Sequence, residues 1–176
     1  DYIDRYESRL SEAHILMEQI SEQIDLLTRV IDENTPKVAT STQQHDRANA
    51  TKFISAISEQ TATSATVIEA NSTRLKEIVP ESLDAMEAAI ELQLKEFTPS
   101  SKEESRNLKE TIFSVYDQSS RATASVKDFR NSVLSTPRIT KEYNSAKRKL
   151  LNALDIFVAY LEVASQRSFD LFSRLP

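Results

Sequence analysis

The 176-residue chain contains no glycine, no cysteine and no tryptophan, and only five prolines. The missing glycine excludes the most. Two-residue hairpin turns, bulged strand ends and most left-handed helix caps rely on glycine, which takes positive φ without a steric cost. Long helices joined by short connections need few such positions, so an all-α chain is expected. Without cysteine there is no disulfide framework, thiolate zinc site or cysteine nucleophile. Walker loops and dinucleotide fingerprints need glycine so that backbone amides can approach phosphate, and both are absent. The two histidines, His14 and His45, lack the glutamate three residues earlier that di-iron bundles use. No catalytic residue, cofactor site or metal site is expected, and the chain reads as a non-enzyme. A net charge of −5 argues against a general nucleic-acid binder, which favours a basic excess. No run reaches the roughly 18 apolar residues of a membrane span. The chain opens at Asp1 with no charged-then-apolar leader, and reads as a single helical-bundle domain, residues 1–176, within a larger protein.

What is present is heptad periodicity. Ile3, Tyr6, Leu10, Ala13, Met17, Ile20, Ile24, Leu27 and Ile31 alternate at spacings of three and four, the seam of a long helix packed nearly parallel or antiparallel to its partners. Leu16 and Val30 widen that stripe, as a bundle helix requires. Ile54, Ile57, Ile68, Leu75 and Ile78 resume the pattern, followed by Leu83, Met86, Ile90, Leu94 and Phe97. A third stretch carries Leu108, Ile112, Val115, Ser119, Ala122, Val126, Phe129 and Val133; a fourth carries Ile139, Tyr143, Ala146, Leu150, Leu154, Phe157, Leu161 and Ala164. The expectation is an all-α, elongated antiparallel bundle of four long helices, with a kink or break at Pro80. From Leu150 to Ala164 the chain is apolar nearly all round, which places that helix centrally or against a partner.

Three Thr-Pro dipeptides, at Thr35, Thr98 and Thr136, read as helix starts, with threonine capping and proline in the first turn. Lys37 to Asn49 carries no apolar stripe and reads as a frayed turn or a loop. Ser101 with Glu104 reads as a capping box. Val79-Pro80 differs, because valine caps poorly; Pro80 either kinks a continuing helix or marks a short break.

Charge is uneven. Residues 1–35 hold nine acidic and three basic side chains; residues 138–176 hold four acidic and seven basic. Opposite signs favour the two terminal helices lying side by side. On this reading the basic patch of Arg138, Lys141, Lys147, Arg148 and Lys149 faces the first helix, with phosphate or acidic lipid as the alternative. Glu81, Asp84, Glu87 and Glu91 share one face, read as solvated, with a weak divalent-cation site as the alternative. His14 is expected to pair with Glu18 on the surface.

Two groups stand out as candidate sites. Thr61, Ser64, Asn71 and Ser119 put polar side chains on seam positions, either to let helices approach closely or to line a small-molecule pocket. Ile15, Leu26, Ile156, Val158, Phe169 and Phe172 lie off the main stripes, with Leu171 and Leu175 nearby, and read as partner contacts. Ser55 to Ser64 resembles, over about ten residues, the small residues flanking a Glu/Gln pair at methylation sites of chemoreceptor helices. The apolar continuation and glycines of that family's signalling tip are missing, and no family is assigned. The functional expectation is a non-catalytic module for protein interaction, oligomerisation or spacing, its partner a second copy or a flanking domain. The alternatives are a ligand-sensing four-helix domain of a membrane receptor and, more weakly, a membrane-surface binder.

Overall fold

A computed structural model describes residues 2–95, 101–136 and 140–175. Four long helices account for nearly all of them: α1 (Tyr2–Gln43), α2 (Arg47–Lys95), α3 (Ser101–Leu134) and α4 (Lys141–Arg174). Among the described residues there is no strand, and the contacts α1·α2, α2·α4 and α3·α4 fit an antiparallel helical bundle. The expected fold is therefore the observed one, with α2 running through Pro80 as one helix.

Thr35-Pro36 does not start a helix. Pro36 lies inside α1, where it removes an N–H from the Asp32 carbonyl one turn back. Asp32 and Pro36 are both exposed, so water can take the place of the missing donor. Nearby, Asn34 Nδ2 donates to the Val30 carbonyl at 2.7 Å and Thr35 Oγ1 to the Ile31 carbonyl at 2.7 Å. The threonine thus bonds back along its own helix instead of capping a new one.

The first chain reversal falls at Gln44–Asp46, inside the stretch that lacks an apolar stripe. The Asp46 N–H donates to the Ser41 carbonyl at 2.8 Å and the His45 N–H to the Thr42 carbonyl at 3.1 Å. This is a Schellman end, and His45 takes the left-handed position at φ 56°, where glycine is the usual occupant. Asp46 then opens α2, with Oδ1 accepting from the Asn49 N–H at 3.2 Å.

The last helix starts at Lys141, not at Pro137. Thr140 Oγ1 accepts from the Tyr143 N–H at 3.1 Å and caps it. Thr136 serves the preceding helix, donating to the Val133 carbonyl at 2.6 Å. Lys147 Nζ reaches the free carbonyls of Leu134 at 3.3 Å and Thr136 at 2.7 Å, a cation at a helix C-terminus. Thr98-Pro99, Pro137, Arg138 and Ile139, with Phe97 and the side chains of Ile3, Leu94 and Ser101, lie outside the described residues.

Two compact units divide the chain: Asp1–Leu16, Thr73–Val126 and Val158–Pro176 form the first, Met17–Ser72 and Lys127–Phe157 the second. In the first, α1 and α2 run antiparallel, with Arg9 meeting Glu81 and Arg74 meeting Glu12. The pairs α3 and α4 are antiparallel too, Phe113 facing Phe172 and Ser120 facing Ser165. Helices α2 and α4 run parallel, since Arg167 meets Asp84 while Arg174 meets Glu91. Its core holds Leu75, Ile78, Leu83, Met86, Ile90, Ile112 and Leu161, all essentially inaccessible. Burying each such side chain favours folding by roughly 1.5–3 kcal/mol. Burial pushes the Tyr160 phenol well above its ordinary range; burial first, then the Glu7 and Glu104 carboxylates, also raise Tyr6.

In the second unit Asn71 Nδ2 donates to Gln19 Oε1 at 3.0 Å and Ser64 Oγ to Gln23 Oε1 at 3.1 Å, so α1 and α2 are again antiparallel. Arg130 of α3 meets Asp155 of α4 at 2.5 Å, and Lys149 of α4 donates to Thr66 of α2 at 3.1 Å. Ile20, Leu27, Ile57, Ile68, Leu150, Leu154 and Phe157 fill its core.

Helix α4 is not buried all round. Leu150, Leu154, Phe157 and Leu161 are covered, Leu151, Ile156 and Val158 are half-buried, and Val163 is exposed. Helix α2 likewise carries two adjacent lines of side chains inward.

Two outcomes follow. Asp46→Ala should cost about 1 kcal/mol in urea unfolding, whereas His45→Gly should be neutral or stabilising by up to about 1 kcal/mol, because the left-handed conformation strains a residue with a Cβ. A phenol raised by folding contributes stability that is complete below its unfolded value of about 10 and is lost as pH rises toward the folded one. Stability should therefore fall above about pH 10, and Tyr160→Phe should flatten that fall in unfolding curves taken across the alkaline range.

Candidate functional site

The candidate polar residues divide between the units. Thr61, Ser64 and Asn71 are buried on α2 in the second unit, and Ser119 is buried on α3 in the first. Thr61 Oγ1 donates to its own helix at the Ile57 carbonyl, 2.7 Å away. Ser64 Oγ accepts from Gln60 Nε2 at 3.0 Å as well as donating to Gln23. These side chains are small and their polar atoms find protein partners, which suits close approach of α1 and α2. The carbonyl of Ser119 accepts from Thr123 at 2.7 Å. Its sequence neighbour Ser120 meets Ser165 of α4 at 2.8 Å.

Acidic residues after Pro80 do not form a bare solvated face. The Arg167 guanidinium reaches Asp84, Glu87 at 3.3 Å and the Pro80 carbonyl at 3.2 Å. Arg174 reaches Glu87 at 3.0 Å and Glu91 at 3.7 Å, and Arg9 meets Glu81. The expected pairing of the last helix with the acidic first helix is thereby corrected: Arg167 and Arg174 of α4 find their carboxylates on α2, which runs beside it in the same direction. Lys147 likewise bonds to the Leu134 and Thr136 carbonyls at and just past the end of α3, and Lys149 to Thr66 of α2, not to α1. A cavity of about 240 Å³ lies beside the cluster, lined by Tyr6, Arg9, Glu81, Ser82, Asp84 and Ala85 among others. Among the described residues no group of three or more His, Asp or Glu is placed to hold a metal ion. No helix there is long and apolar enough to cross a membrane. His14 approaches Gln118 Nε2 through its Nδ1 at 3.2 Å.

Arg74 of α2 holds the Glu12 carboxyl of α1 below its usual range, chiefly through its hydrogen bond. That pair is solvent-exposed and its contribution to stability is small.

The partner-contact residues sort unevenly. Ile15 and Phe169 are exposed, at 54% and 52%. Leu26, Ile156, Val158 and Phe172 are half-buried. Leu171 and Leu175 belong to the core. Sequence periodicity missed the residues that complete the surface around Phe169: Phe113, 48% exposed, and Tyr116 on α3. Phe113 stacks on Phe172 with centroids 5.7 Å apart, Tyr116 on Phe169 at 5.6 Å, and Phe113 on Tyr116 at 6.3 Å. All three lie in the range of favourable tilted aromatic pairs. Lys109 Nζ sits 5.0 Å from the Phe172 centroid, a cation over the ring. The four rings thus form one continuous aromatic face across α3 and α4 of the first unit. The signal was present in the sequence: Phe113 and Tyr116 each directly follow a seam position, Ile112 and Val115, on the flank that turns toward α4.

Replacing Arg167 by alanine should lower stability by about 1 kcal/mol or more, since one partly covered guanidinium serves two carboxylates and a carbonyl. The loss should shrink at high salt. Arg121→Ala should be near neutral, because its pair with Asp117 is an exposed one within a single helix. Urea denaturation at low and high ionic strength distinguishes the two.

Compared with known proteins, the chain matches no family model, no curated protein and no solved structure.

Proposed function

We propose that the chain is a non-catalytic interaction module that associates through the aromatic face of Phe113, Tyr116, Phe169 and Phe172. The supporting observation is the exposure of that face. Two phenylalanines about half open to solvent, each in ring contact with a further aromatic, form a patch larger than scattered single residues. Patches of this kind on a water-facing surface mark sites of association, and aromatic residues carry much of the binding energy at interfaces. The cost of exposing them is avoided once a partner covers them. The partner is a second copy or a domain joined to the chain. A catalytic role has no comparable support: the carboxylates after Pro80 are held by arginines.

Sedimentation velocity across a concentration series, with hydrogen exchange at residues 109–117 in the chain alone and in the full gene product, tests this reading. Self-association, or added protection of that segment in the gene product, is expected. The double variant F113D/F169D should abolish either while leaving far-UV helicity unchanged. A chain that stays monomeric and gains no protection on this face would overturn it.

A further inference from the structure

We infer that the cavity between α1 and α2 in the first unit is a binding site for a small organic cation, an ammonium group carried on a compact apolar body. The inference goes beyond the interaction reading and does not depend on it. The space arises from side-chain size. Glu81, Asp84, Ala85 and Ala88 follow one another at steps of three, one and three, which sets them on one face of α2. The two alanines offer no more than a methyl group each where Tyr6 and Arg9 of α1 line the other side. Together these residues border about 240 Å³. An apolar cavity of about 150 Å³ takes up benzene, so this one has room for a single ring and a short polar substituent.

The polar atoms decide the class of ligand. The Ser82 hydroxyl is spent on the Ile78 carbonyl at 2.9 Å. Arg9 is engaged with Glu81, and Asp84 with Arg167. Tyr6 is different. It is only 7% exposed and it lines the cavity, yet its hydroxyl has no hydrogen-bond partner among the described residues. A phenol so well covered ordinarily has one, and the cavity is where a ligand would supply it. Burial first, and then the Glu7 and Glu104 carboxylates, raise the Tyr6 pKa, so the hydroxyl stays neutral and lies in a negative field. Glu7 and Glu104 are both exposed, and neither has an ion-pair partner among the described residues. A protonated amine donates to the phenol oxygen, and its charge is favoured by the same two carboxylates. An anion would be drawn to Arg9 alone, whose charge Glu81 already offsets, and would be repelled by Glu7 and Glu104.

Three probes of one shape and different charge test the class: benzylamine, benzyl alcohol and benzoate. Each is titrated into the 176-residue chain at neutral pH and followed by calorimetry and by amide proton–nitrogen spectra. Benzylamine should shift the signals of Tyr6, Ala85 and Ala88. It should bind roughly tenfold more tightly than benzyl alcohol, the worth of one charge-assisted hydrogen bond, and benzoate more weakly than either. Tyr6→Phe should weaken benzylamine roughly tenfold while leaving thermal unfolding unchanged, since the lost hydroxyl had no partner. The double variant E7Q/E104Q should reduce the preference for the amine and leave the affinity for the alcohol where it is. Ala85→Leu should fill the space and abolish binding of both, with helicity intact by far-UV circular dichroism. Silence of the three signals toward every probe would overturn the site, as would binding that survives Ala85→Leu. Alcohol or benzoate binding as tightly as the amine would overturn the cationic class.

Discussion

Helix α2 buries two adjacent lines of side chains, and the packing around it follows from that. Thr61, Ser64, Ile68, Asn71, Leu75, Ile78 and Ser82 make one line; Ser58, Ala65, Ser72, Val79, Leu83, Met86 and Ile90 thicken it. A helix covered over so wide an arc has to be approached from more than one side. In each unit it has both α1 and α4 against it, through Glu12 and Arg167 in the first and through Gln23 and Lys149 in the second. Many of the covered positions are serine, threonine or alanine, so neighbouring backbones can come close. Hydroxyls of Ser58, Thr61 and Ser82 are satisfied by carbonyls one turn back. This arrangement hides polar atoms without needing a partner across the interface.

Because α4 lies beside α2 and parallel to it, the charges of the two helices add up locally. Arg167 and Arg174 are seven residues apart, as are Asp84 and Glu91, with Glu87 between them. Parallel helices keep such repeats in step, so two guanidiniums meet three carboxylates without a change of register. An antiparallel neighbour could match one end of that series only. The excess of acid over base on α1 is a global property of a segment, while ion pairing is decided over a few ångströms. That is why summed charge pointed α4 at α1 and the local repeat places its arginines on α2.

The legible part of the fold was whatever depends on period. Seam positions Tyr6, Ala13, Ile20 and Leu27 are buried at intervals of seven, and Ile112, Ser119, Val126 and Val133 behave alike on α3. Helix ends were less legible, because a Thr-Pro pair has two uses. At Pro36 the missing hydrogen bond falls on an exposed turn, where the helix tolerates it, and the chain reverses nine residues later at a histidine. Nothing in residue type marks His45 as left-handed; the Ser41–Asp46 bond that closes the helix puts it there. Pro80 was legible only as an ambiguity, and the buried pattern on both sides of it, Val79 and Ser82 to Leu83, keeps α2 continuous. The aromatic face was half legible. Phe169 and Phe172 stood out on α4, but Phe113 and Tyr116 were hidden beside a seam good enough to account for α3 by itself.

Buried polar groups on α2 are largely satisfied, the Ser72 hydroxyl excepted, whereas the aromatic face leaves apolar area open to water. Interior polar groups at Thr61, Ser64 and Asn71 have hydrogen-bond partners within the protein, so a ligand entering there would have to displace them. Arginines and carboxylates on α2 and α4 pair with each other in the same way. The rings of Phe113 and Phe169 are different: half of each faces water, and no hydrogen bond can compensate apolar area. Hydrophobic burial is proportional to area and indifferent to direction, so an aromatic face alone would accept many partners.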